Sequence, residues 1–242
     1  MLIDLQVWLN HFEYHATRLQ PLPAGRSESL TAEERRRIGS SLATFQLGEQ
    51  SEGRSLLRAA RQFESRHGVA GLTRLIELFL AEEKHHAAIL GEFLGQHGIP
   101  RKQHDWTDHA FRFLRKAAGF ELHLTVLITA ELIGKVYYRA LESATRCRQL
   151  QALCRIMVAD ELAHVGFESE LLRTIRSRRP WPVRTGTNLA HRTFLGAVAL
   201  VVWLTHRSVL RAAGYRLLSF IRACDAQYRF HLEPLPMLAR TA

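Results

Sequence analysis

Residues 160–168 read Asp160-Glu161-Leu162-Ala163-His164-Val165-Gly166-Phe167-Glu168, inside a run whose apolar residues Leu150, Met157, Leu171 and Leu172 recur at helical period. A Glu and a His three positions apart share one helix face, about 5–6 Å apart at Cβ, so both can be aimed at one point. The same pair stands earlier, in Glu82-Glu83-Lys84-His85-His86, again within an apolar period that includes Leu75, Ile76, Phe79, Leu80, Ile89 and Leu90. One such pair alone is most simply a solvated helix face. Two of them interrupting two apolar seams ask for a common cause.

Working outward, Thr31-Ala32-Glu33-Glu34 is a capping box that starts a helix, expected over 32–66 with Leu42, Phe45, Leu56, Ala59 and Phe63 on one seam and His67-Gly68 as its stop. A second helix is expected at 72–97, closed by Gly98-Ile99-Pro100. Residues 101–119, basic and aromatic with Trp106, Phe111 and Phe113, read as a partly helical crossover. A third helix runs from Phe120 through Tyr138 and Leu141, and a fourth covers 149–175 until Arg178-Arg179-Pro180-Trp181-Pro182 ends it. The expected fold is all-α: a helical lead-in over 1–30, a four-helix bundle over 31–178 and a helical extension over 179–242.

Each of the four helices carries a glutamate at mid-height on its apolar seam: Glu49 and Glu52 on the first, Glu83 with His86 on the second, Glu131 on the third, Glu161 with His164 on the fourth. Glu49 and Glu83 are 34 positions apart, and Glu131 and Glu161 are 30 apart, which antiparallel hairpins would bring level. An isolated carboxylate in an apolar bundle costs several kcal/mol, so four together make sense only with cations among them. Carboxylate and imidazole without thiolate suit iron, with manganese second, so Glu49, Glu83, His86, Glu131, Glu161 and His164 are the expected ligands of two metal ions. Asp160 and Glu82, each just before a ligand glutamate, are placed to accept hydrogen bonds from His86 and His164 of the opposite helix. Glu168 and Tyr138 are candidates for an extra ligand, a proton relay or a radical partner, with structural hydrogen bonding as the alternative. His11, Glu13, His15 and His85 read as surface residues.

Composition bounds the rest. Hydrophobic residues at 47% and charged residues at 23% describe a folding globular chain rather than a disordered one. Cys147, Cys154 and Cys224 have no paired spacing, and residues 1–20 lack a secretory pattern, which points to a reducing, cytoplasmic setting. The net charge of +10 leaves room for an acidic partner: nucleic acid, an anionic membrane surface, an acidic carrier protein or a carboxylate substrate. Leu195–Leu204 is apolar without a break, but ten residues are too few to cross a bilayer. Residues 190–230 therefore read as a fifth helix packed on the bundle or on a second subunit in a homodimer, with an interfacial membrane helix as the alternative.

The chain resembles the ferritin-like di-iron superfamily over about residues 40–175, and within it the rubrerythrins and the aldehyde-deformylating oxygenases. Gly48-Glu49-Gln50 followed by Arg54 is similar to the segment bearing the first iron ligand there, which favours Glu49 and leaves Glu52 as an auxiliary carboxylate. Asp160–Glu168 is similar to the Asp-Glu-x-x-His stretch of the oxygenases. The resemblance implies an oxidase or oxygenase that uses dioxygen or peroxide, electrons from an external reductase and a small-molecule or carrier-bound substrate. Two further readings stay open: a peroxide-scavenging or iron-oxidising protein, and a non-enzymatic nucleic-acid- or membrane-binding bundle with a structural metal. No rubredoxin-like cysteine segment follows, unlike in many rubrerythrins.

Overall fold

The computed structural model describes residues 3–25, 30–50, 53–105 and 119–233, and among these every regular element is a helix. They are α1 (Leu5–Ala16), α2 (Ala32–Glu49), α3 (Arg54–His67), α4 (Leu72–Gln96), α5 (Phe120–Ala144), α6 (Arg148–Ser177), α7 (Trp181–Ala212) and α8 (Leu217–Leu232). The 101–119 crossover and Glu52 fall largely or wholly outside the described residues.

Thr31 and Glu34 close the capping box at the start of α2: the Glu34 amide donates to Thr31 Oγ1 at 3.1 Å, and the Thr31 amide to Glu34 Oε2 at 3.0 Å. The other oxygen of Glu34 accepts from the Arg146 amide at 2.8 Å and from Thr145 Oγ1 at 3.2 Å. One side chain therefore satisfies a helix start and ties it to the short α5–α6 turn.

The helix expected at 32–66 is broken. α2 stops at Glu49, and α3 restarts after Gly53, whose φ of +63° is left-handed. The left-handed backbone favours glycine there, and a Cβ on Gly53 would press on the Leu80 side chain of α4, which would have to shift. Apolar periodicity runs on across the gap because α3 also packs on α4.

α2 and α3 lie on α4, α5 lies on α6, and α4 touches α6 across the centre; α1 covers α4 from outside. Apolar burial unifies them, with Leu42, Phe79, Leu132, Leu141, Met157 and Leu172 each fully or almost fully enclosed.

The tail is not one helix over 190–230 but two, joined near Gly214 and packed on α5, α2 and α6. α7 begins immediately after Pro180 and is 32 residues long. It contains an 18-residue window of mean hydropathy 1.5, long and apolar enough to cross a membrane, where the ten-residue run alone was not; 33% of that window is buried against the protein. Buried Arg176 fixes its start, donating to Glu121 (3.2 Å), Thr125 (2.9 Å) and Asn188 (3.0 Å). At His206 the helix departs from helical angles (φ −115°, ψ 18°), where Ser41 Oγ joins His206 Nδ1 (2.8 Å) to the Tyr137 hydroxyl (2.7 Å). A side-chain network inserted at this turn accounts for the kink without proline.

Candidate metal centre

The apolar seams of α2, α4, α5 and α6 bring the six expected ligands to one level of the interior. Glu83, His86, Glu131, Glu161 and His164 are buried and Glu49 nearly so. Their ligand atoms form two groups, each within 4.8 Å: Glu49, Glu83, His86 and Glu161 in one, Glu83, Glu131, Glu161 and His164 in the other. Glu83 and Glu161 belong to both. The carboxylates of the two Glu-x-x-His pairs are thus common to both groups, while Glu49 and Glu131 each belong to one end of the set.

Each imidazole presents one nitrogen inward and one outward. His164 Nδ1 lies 3.2 Å from Glu83 Oε1 and 3.4 Å from Glu161 Oε2, and His86 Nδ1 lies 3.5 Å from Glu83 Oε1. On the outer side, His86 Nε2–H donates to Asp160 Oδ2 at 3.0 Å, and His164 Nε2 is 3.4 Å from Glu82 Oε1. Moving back from His86 to Glu82 on α4 moves forward from Asp160 to His164 on α6, so these helices are antiparallel and the two halves of the site are related by a near-twofold.

His15 is a correction to its reading as a surface residue. It is half-buried, with Nδ1 2.9 Å from Glu82 Oε1 and Nε2 3.5 Å from Asp160 Oδ1, and so straddles both carboxylates that face the ligand histidines. α1 brings it there because Phe12 stacks on His164 at 5.8 Å between centroids and Trp8 Nε1–H donates to Glu170 at 2.9 Å. The only sequence signal was helical spacing in the lead-in; a contact across 67 residues leaves no local trace. His11 and Glu13 are exposed as expected, whereas His85 is half-buried and contacts the Gln20 carbonyl at 2.7 Å.

Tyr138 O–H donates to Glu49 Oε1 at 2.7 Å, so the phenol meets an end carboxylate rather than the centre of the group. Glu168 is fully buried one turn beyond His164 and belongs to neither group of four; both its oxygens lack a hydrogen bond among the described residues. Glu82 is buried at 4% exposure, which excludes a solvated role.

The electrostatics are those of a cluster short of positive charge. Burial, then Glu83 and Glu161, hold the Glu49 carboxyl well above the usual range, and burial with Glu161 and Glu83 does the same to Glu131. Burial also pushes Glu168 up. Burial opposes charge on His86, but Asp160 and Glu83 raise it to about 10; on His164, Glu161, Glu82 and Glu83 likewise overcome burial. Glu83 in turn is held below the usual carboxylate value, against burial, by His164 and His86.

No family model, curated protein or solved structure matches this chain.

Several buried atoms lack a hydrogen bond among the described residues, including His164 Nε2, His15 Nδ1, Gln46 Oε1 and both Glu168 oxygens, and four more are Glu83 Oε1, His86 Nδ1, Glu161 Oε2 and His164 Nδ1. These last four face the cluster. Buried polar atoms are normally satisfied, and these are the atoms that metal ions would satisfy, so the residues fit a pair of cations. Beside them lies a cavity of about 180 Å³, walled by apolar side chains including Phe45, Leu56, Phe79, Val126, Val198 and Val202, with Glu49, Glu83, Glu131 and Glu161 in its lining. The contribution of α7 to that wall was not visible in the sequence.

Proposed function

We propose that this chain is a ferritin-like four-helix bundle acting as a di-iron oxidase or oxygenase, with the bundle formed by α2, α4, α5 and α6. The observation that carries the reading is the sharing of Glu83 and Glu161 by two four-residue ligand groups, each completed by one histidine and one end glutamate. Glu49 and His86 would serve one ion, Glu131 and His164 the other, and manganese is the second choice of metal. A pair of irons there would supply the electrons and the binding site for dioxygen or peroxide.

The chain's own residues have definable tasks around that pair. Asp160 would orient His86 through its hydrogen bond so that Nδ1 faces inward, Glu82 lies 3.4 Å from His164 Nε2, and His15 sits against both carboxylates. The Tyr138 hydroxyl keeps a proton at Glu49, adjacent to the cavity. Phe79 and Phe12 flank His164 and exclude water from it. The apolar walls favour an organic substrate over bare peroxide, and an external reductase would restore the reduced state.

The test is anaerobic loading with ferrous iron, counting of bound metal, and oxygen uptake on exposure to air. About two irons per chain and rapid uptake, both lost in Glu161→Ala, are expected. A chain that retains no iron would overturn the proposal. Peroxide turnover far exceeding oxygen uptake would instead select the peroxide-scavenging alternative.

A further inference from the structure

α7 has two faces that answer to different surroundings. Its inner side buries His191, Leu195, Ala199, Trp203 and Leu210 against the protein. Its outer side carries Leu189, Thr193, Ala197, Leu200 and Leu204, spaced by four, four, three and four residues, hence one stripe along the helix. Leu189, Leu200 and Leu204 are 66%, 40% and 58% exposed. Of the eleven large hydrophobic residues exposed among the described residues, seven lie in α7 and α8, so the apolar surface is concentrated rather than scattered.

Three further observations say what covers this stripe. First, the stripe's one hydroxyl is bonded to its own backbone: Thr193 Oγ1 donates to the Leu189 carbonyl at 3.0 Å. That leaves the helix surface with few unmet polar groups, as a hydrocarbon environment requires. Second, the flanks are basic. From Trp181 to Glu233 the chain has seven arginines against two acids, Asp225 and Glu233. Arg192 and Arg229 share Asp225, while Arg207, Arg211, Arg216 and Arg222 stand exposed. Third, the charge-free stretch is bounded. Arg192 and Arg207 enclose fourteen residues, about 21 Å of helix, against a hydrocarbon core of about 30 Å. The inner face is committed to α5, α2 and α8 in any case. A charge-free span of that length suits a helix lying in a membrane interface better than one crossing a bilayer.

We propose that the outer stripe of α7 docks the protein on an anionic lipid surface, with Leu189, Leu200 and Leu204 entering the acyl boundary and Arg207 and Arg211 meeting headgroups. The proposal is independent of metal, because none of these residues touches the ligand cluster. Its geometric consequence is that the wall separating lipid from cavity is one helix thick: Val198 and Val202 line the cavity from the same turns that carry Leu200 and Leu204 outside.

Flotation of the full chain with phosphatidylcholine vesicles, with and without about 30% phosphatidylserine, tests it. Binding to the anionic vesicles and not to the neutral ones is expected, weakening as salt is added. The L200E/L204E pair should abolish binding, and R207Q and R211Q should each weaken it about fivefold. Because all four side chains are exposed, circular dichroism and metal content should match the parent in each variant. Binding unchanged by L200E/L204E would overturn the proposal. So would a dimer in light scattering that these substitutions dissociate, combined with no vesicle binding, since a second copy would then be what covers the stripe. Failure in either form leaves the iron and oxygen test of the ligand cluster untouched.

Discussion

Replacing Glu131 by Gln isolates what the ligand cluster costs the protein before metal arrives. Glu131 is buried, and the leading causes acting on its carboxyl, burial first and then Glu161 and Glu83, raise it. A carboxyl raised in the native state binds more protons folded than unfolded, so stability falls as pH climbs above the ordinary value of 4.5. Each pH unit over which the native proton is retained costs about 1.4 kcal/mol, which sets a ceiling of about 3.5 kcal/mol by pH 7. Glutamine keeps the shape and can still donate toward Glu161, but it has no proton to lose. In chelator-treated protein, urea unfolding followed by circular dichroism should show parent and variant nearly equal at pH 4.5, with the variant ahead at pH 7 by no more than that ceiling. With manganese added the order should reverse, because the parent gains a ligand-bound ion that the variant lacks. Parallel pH curves for the two proteins, or a variant less stable at pH 7 without metal, would refute the electrostatic reasoning.

Metal stoichiometry should separate bridging from end positions: Glu49→Ala is expected to retain about one tightly bound ion and Glu83→Ala none, counted by elemental analysis after gel filtration. Asp160→Asn and Glu82→Gln should each weaken binding about 10–100-fold in chelator competition. His15→Ala should weaken both ions together and by less, since it acts through those two carboxylates; an effect on one ion alone would contradict the straddling geometry. Gly53→Ala should lower stability by about 1–3 kcal/mol, read as the shift in thermal midpoint, because it combines a left-handed backbone with a close approach to the Leu80 side chain.

Periodicity made the helices legible, and the capping box placed the start of α2 to the residue. The two Glu-x-x-His pairs and the acids preceding them could be read because their geometry is local: three residues on a helix fix a direction, and one residue more turns a carboxylate toward the neighbour. What stayed hidden was set by distant contacts. The break after Glu49 depends on the backbone sign at Gly53 and on Leu80 beneath it, neither of which alters an apolar repeat. His15 earns its position through Phe12 and Trp8 on partners more than 150 residues away. The tail was read by its ten-residue apolar run, yet the helix around it is set by buried Arg176, whose partners on α5 and α7 the spacing could not announce.

The cross-bracing of α4 and α6 fixes an order of events. Asp160 serves a histidine on α4, Glu82 contacts one on α6, and each group of four ligands draws on three helices. No single segment emerging from the ribosome therefore contains a usable half-site, and a metal ion cannot template this chain as zinc templates a finger peptide. On the proposed reading, the ions would enter an interior already assembled on its oily contacts.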